Sequence, residues 1–114
     1  MIKYSELTTE QKMACLSLFP EEAKTDTEWY IRIEAYRAFG YTEEAKNDNN
    51  WYIRREAYRA LGYTEESKTD TEWYIRIEAE IYFKIKNQLE QQTTEKQTIQ
   101  LNGKIYKLIE ITNE

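Results

Sequence analysis

Arg32, Arg54 and Arg76 recur every 22 residues, each three positions after a tryptophan: Trp29, Trp51 and Trp73. A guanidinium carries five N–H donors in a planar fork that matches carboxylates and phosphates and stacks on aromatic rings. Two chemistries follow. The arginines could grip phosphates while the rings stack on bases, as single-strand binders do. They could instead bridge one repeated unit to the next. The acids Glu28, Glu34, Glu56, Glu72 and Glu78 accompany them throughout and weigh against phosphate.

Catalytic chemistry has little to work with. The chain has no histidine and one cysteine, Cys15. The usual imidazole acid–base apparatus is missing, one thiol makes no disulfide within a chain, and no spacing of metal ligands occurs. No nucleophile–base pair and no phosphate-cradling glycine loop is found. The sequence predicts a non-enzyme that needs no cofactor and no metal.

The elements that must hold these residues are repeats. Three blocks, 19–40, 41–62 and 63–84, match at nearly every position, polar ones included. Each opens with a short segment, begun by Pro20, Thr42 or Thr64, which suit a helix start. A longer helix follows, entered near Asp26, Asp48 or Asp70 as caps or cap-adjacent turn residues. Gly40 and Gly62 end the first two long helices. The expected buried stripe is Ile31, Ala35, Ala38 and Phe39, repeated as Ile53, Ala57, Ala60 and Leu61, then as Ile75, Ala79, Tyr82 and Phe83. Residues 8–18 read as a degenerate helix capping the N-terminal end. Residues 1–84 thus form a helical repeat array, and 85–114 form an appended segment.

The pattern from Asp48 to Gly62, Asp-x-x-Trp-x-Ile-Arg-x-Glu-Ala-x-x-Ala-Leu-Gly, resembles the second helix of HEAT-like repeats. The resemblance implies helix pairs stacked into a solenoid. It implies an arginine that bridges toward loop acids of a neighbouring unit. It also implies binding of proteins, or sometimes of nucleic acid, without catalysis. The first helix of each unit is shorter here than in that family.

One side of the long helices carries Trp29, Ile33 and Tyr36, then Trp51, Arg55 and Tyr58, then Trp73, Ile77 and Glu80. Arg55 suggests that this side is partly wet. We expect the partner face here, on Trp29, Trp51, Trp73, Arg55, Tyr36 and Tyr58, with aromatic anchors. The bland reading is that the tryptophans cover the short segments and complete the core. Arg32, Arg54 and Arg76 are expected to bind phosphate or to bridge repeats.

Lys84 stands where the first two blocks have glycine, so the third helix is expected to continue to about Gln92. Asn102-Gly103 between apolar-rich runs then signals a β-hairpin, with strands Thr98–Leu101 and Lys104–Ile111. Ile81, Ile85, Leu89, Ile99, Tyr106 and Leu108 are expected to form a homodimer contact. The alternative is a hairpin folded back on the third repeat.

The predicted fold is therefore mainly α: a short helical repeat array, a HEAT-like solenoid, with a long C-terminal helix and a terminal β-hairpin. The net charge of −5 opposes nucleic acid as a general partner. No apolar run is long enough to span a membrane, and the N-terminus lacks the apolar core of a signal peptide, so the cytoplasm is the expected location. The expected function is that of a protein-binding adaptor or steric inhibitor. The chain also resembles small accessory proteins of phages and mobile elements, some of which block host defence complexes. The rival readings are single-strand nucleic-acid binding through the Arg/aromatic strip and a purely structural assembly role.

Overall fold

The structure, a computed structural model, describes residues 1–102, with side chains described through Gln92. It divides into two compact units, Met1–Gly62 and a second that begins at Tyr63. Among the described residues all regular structure is helical.

The N-terminal unit opens with a 3-10 turn, Tyr4–Glu6, followed by helix α1 (Thr9–Ala14) and a second 3-10 turn, Leu16–Leu18. Helix α2 (Pro20–Lys24), helix α3 (Trp29–Phe39), the 3-10 turn Glu43–Asn47 and helix α4 (Trp51–Leu61) complete it. The C-terminal unit holds the 3-10 turn Glu65–Thr69 and helix α5 (Trp73–Asn102). The boundary expected between residues 84 and 85 falls inside α5.

Local chemistry starts each helix. Thr8 and Gln11 form a reciprocal capping box on α1: the Gln11 N–H donates to Thr8 Oγ1 (3.2 Å) and the Thr8 N–H to Gln11 Oε1 (2.9 Å). Pro20 occupies the first position of α2, where no N–H is needed. In every block the aspartate turns the chain into the long helix. Oδ1 of Asp26, Asp48 and Asp70 accepts the N–H two residues on, from Glu28 (2.8 Å), Asn50 (2.9 Å) and Glu72 (2.8 Å). Asn50 then caps α4 by accepting from the N–H groups of Tyr52 and Ile53.

Helix α3 is buried on two sides. Ile31 and Ala35 pack with Ala23, against which Tyr4 and Leu16 also lie. Ile33 and Tyr36 pack with Ala45, Ile53 and Ala57 from block 41–62, with Tyr41 and Tyr52 against them. The alanine of the short segment is fully buried in both blocks, as Ala23 and Ala45. A larger side chain there would push the short segment off the long helix. Ser67 takes that place in the third block, also fully buried, and its hydroxyl is satisfied locally by the backbone of Thr64.

The expected stripe is too long at its C-terminal end. Ala38, Phe39, Ala60 and Leu61 are exposed rather than buried. The cause is length: α2 has only five residues, little more than one turn, and leaves the last turn of α3 uncovered.

Gly40 and Gly62 sit at φ 97° and 105°, each with ψ 144°, a region essentially reserved for glycine. Their N–H groups close the helices onto Tyr36 O and Tyr58 O, both at 2.7 Å. Lys84 cannot adopt that conformation without strain, and α5 runs on as the sequence predicts, but to Asn102 rather than Gln92. Residues 98–101 are therefore helical, and the first strand of the expected hairpin does not form. No glycine or proline lies between Trp73 and Asn102 to interrupt the helix's local hydrogen bonds. The second expected strand, Lys104–Ile111, lies outside the described residues.

Candidate functional site

Arg32 spends its guanidinium on structure. Nε donates to Asp48 Oδ2 (2.8 Å), and NH2 to Asp48 Oδ1 (2.7 Å) and Asn49 Oδ1 (3.0 Å). NH1 donates to the carbonyls of Asp26 (2.8 Å) and Thr27 (3.1 Å). Five contacts match the five N–H donors an arginine has. The residue is buried, and its carboxylate partner belongs to the next block. The contact joins block 19–40 to block 41–62, and it leaves Arg32 no donor for phosphate. Arg54 and Arg76 repeat the backbone half of the contact, with NH1 on Asp48 O (3.0 Å) and on Asp70 O (2.7 Å).

At the N-terminal end another pair of groups replaces the arginine. Asp26 Oδ2 accepts from the Tyr4 hydroxyl at 2.5 Å and faces the Lys12 ammonium at 3.2 Å. Burial alone would raise the Asp26 pKa, but the hydrogen bonds from Tyr4, the Glu28 N–H and Lys12 outweigh it and hold the carboxyl below its usual value. Tyr4 is pushed well above the ordinary phenol range, first by burial and then by Asp26. Sequence reasoning missed both donors, because neither aligns with Arg32. The signal available was Asp26 itself, an aspartate of the repeated type with no arginine 16 residues upstream.

A groove of about 580 Å³ opens on this unit along α3 and the start of α4. Trp29, Tyr30, Ile33, Glu34 and Arg37 line one side, and Asn50, Trp51 and Tyr52 the other. Trp29, Tyr30 and Trp51 are 44, 38 and 38% exposed. They sit in the first turn of their helices, beyond the cover of the short segments. Tyr52 organises the groove. Trp29 meets its ring edge-on, with centroids 6.4 Å apart. The Arg55 guanidinium lies over that ring at 5.7 Å, and Arg37 NH2 donates to the hydroxyl at 3.2 Å. Arg37 is paired with Glu34 at 3.0 Å. The surface is aromatic with nearly balanced charge.

Two members of the expected partner face are not on the surface. Tyr36 and Tyr58 are buried, at 6 and 5% exposure. Tyr36 stacks on Tyr41 (5.4 Å, 15°), and Lys46 lies 5.7 Å over the Tyr58 ring while pairing with Glu43. For Tyr36 the physical reason is that α3 packs on two sides, so a residue opposite the first stripe meets a second one. Arg55 is half-buried against Tyr52 rather than projecting into water. Tyr30 and Tyr52, which the expected partner face does not include, belong to the groove.

In the C-terminal unit Trp73 and Tyr74 are exposed, and their rings stack face to face at 4.1 Å and 24°. The corresponding pairs in the other blocks, Trp29–Tyr30 and Trp51–Tyr52, meet edge-on at 80° and 87°. Of the expected dimer residues, Ile81, Ile85 and Leu89 are exposed on α5. Ile99 lies on the same helix beyond the described side chains, and Tyr106 and Leu108 lie outside the described residues.

Among the described residues no group of histidine, cysteine, aspartate and glutamate could hold a metal ion, and no helix is long and apolar enough to cross a membrane. No known family, curated protein or solved structure matches the chain.

Proposed function

We propose that this is a non-catalytic protein-binding module, acting as an adaptor or steric inhibitor, whose contact surface is the groove between Trp29 and Trp51. The observation that supports the reading is that Trp29, Tyr30 and Trp51 line one groove while remaining more than a third exposed. Tryptophan and tyrosine are over-represented among residues that dominate interface energies, because they offer large rigid surface at low entropic cost. Single-strand binding is the weaker reading. It needs arginines available to phosphate, and Arg32 has every donor engaged.

The test is capture of partners from the native host by the full chain, compared with Trp51→Ala and Trp29→Ala. Both variants should keep the helical signal and lose the captured protein. Capture unchanged in both would remove the groove from the reading. Salt-sensitive binding of a labelled single strand, lost in Arg55→Glu, would replace the reading with the nucleic-acid one.

A further inference from the structure

We infer that the exposed face of α5 around Arg76 is a docking surface for a protein that presents an aspartate-led helical turn, the chemistry block 41–62 presents to α3. The argument is internal to the molecule. On α3, Arg32, Ile33 and Tyr36 form one side, and block 41–62 buries it with Asp48 on the arginine and with Ala45, Ile53 and Ala57 on the apolar residues. The same positions on α5 are Arg76, Ile77 and Glu80, and all three are exposed, Ile77 by 46% against 2% for Ile33. Arg76 makes the same backbone contact as Arg32: its NH1 donates to the carbonyl six residues back, Asp70 O, at 2.7 Å, as Arg32 NH1 does to Asp26 O. Among the described residues no carboxylate takes its Nε and NH2. A guanidinium held this way presents two parallel donors at a fixed angle, the geometry a carboxylate accepts in bidentate fashion.

The apolar side extends the same way. Trp73, Ile77 and Ile81 are exposed at 49, 46 and 56% and stand four residues apart. Such a row is the i±4 ridge that packs into the groove of a second helix, in the commonest crossing class. A helix bearing small and β-branched residues, led by an aspartate that reaches Arg76, fits both halves of the face. Glu80, standing where α3 has the buried Tyr36, asks for a basic group on the partner. This surface is separate from the groove of Trp29 and Trp51.

The probe is a fluorescent peptide with the sequence of residues 41–62 of this chain, titrated against the full-length protein by anisotropy. The peptide should bind, and Arg76→Ala in the protein or Asp48→Asn in the peptide should each weaken binding tenfold or more. Combined, the two changes should weaken it no further than either alone, since both break one contact. Arg76→Lys, which keeps the charge and loses the fork, should recover only part of the affinity, and Ile77→Lys should abolish binding. Arg76 is exposed, so the helical signal of its variants should match the parent. Absence of binding, full binding by Arg76→Ala, or losses that multiply in the combination would overturn the proposal. So would dependence on Trp51 in place of Ile77. A concentration-dependent two-chain species dispersed by Ile77→Lys would also overturn it, giving the face to a second copy.

Discussion

Arg32 and Asp48, sixteen residues apart in sequence, meet through two parallel hydrogen bonds of 2.8 and 2.7 Å. Both side chains are nearly buried, at 10 and 7% exposure. The contact joins one block to the next. It also finishes two local structures, the turn led by Asp26, whose carbonyl takes NH1, and the turn led by Asp48.

Arg32→Ala should therefore cost about 3 kcal/mol or more, because it strands a buried carboxylate as well as losing the pair. Arg32→Lys should recover little, since one ammonium cannot serve both carboxylate oxygens and two carbonyls from that position. Urea denaturation of the three proteins measures this. A midpoint unchanged in Arg32→Ala would show that the bridge contributes nothing.

The Tyr4–Asp26 contact makes stability depend on pH at both ends. The folded Asp26 carboxyl is held below the ordinary value of about 3.9. Its contribution is present above that pH and is lost as pH falls through the lower folded value. Tyr4 shifts the other way. Its contribution is complete below about pH 10 and is lost as pH rises toward the raised folded value. In a scan of unfolding midpoint against pH, Asp26→Asn should flatten the acid limb and Tyr4→Phe the alkaline limb. Limbs as steep as those of the parent would contradict the assignment.

Core position and last-turn position should separate by mutation. Ile53 is fully buried between Ala45, Ala57 and α3, and Ile53→Ala should cost about 2–5 kcal/mol. Phe39 is 41% exposed on a turn that α2 does not cover, and Phe39→Ala should cost about 1 kcal/mol or less. Equal losses in thermal or urea melts would mean that the last turn of α3 is core after all.

The legible part of this protein was what each block states within itself. The 22-residue recurrence located the three long helices, the aspartates located their entry turns, and Gly40, Gly62 and Lys84 distinguished two helices that stop from one that continues. What stayed hidden depends on distance in space. Tyr36 reads as a surface residue because its spacing groups it with Trp29. Only the second packed side of α3 makes it core. Tyr4 and Lys12 share one carboxylate from two different elements, so no periodicity ties them to Asp26. Residues 98–101 carry strand-like composition and precede an Asn-Gly pair, yet an uninterrupted helix satisfies their backbone without a partner strand. Of the residues lining the groove, Trp29 and Trp51 can be read from the repeat as members of one helix side. Tyr30 and Tyr52 cannot, because their place in it arises where two blocks meet.

The Asp48 carboxylate divides its labour: one oxygen accepts the N–H of Asn50 as well as Arg32 NH2, and the other takes Arg32 Nε. A block thus carries its acceptor at its entrance and its donor four residues into the long helix. Gene duplication that copies a whole block copies both halves of the joint together. The seam between blocks 19–40 and 41–62 uses one half from each, Arg32 from the first and Asp48 from the second. An added segment of 22 residues keeps the sixteen-residue spacing from arginine to aspartate, whereas one of another length would shift the donor away from its acceptor.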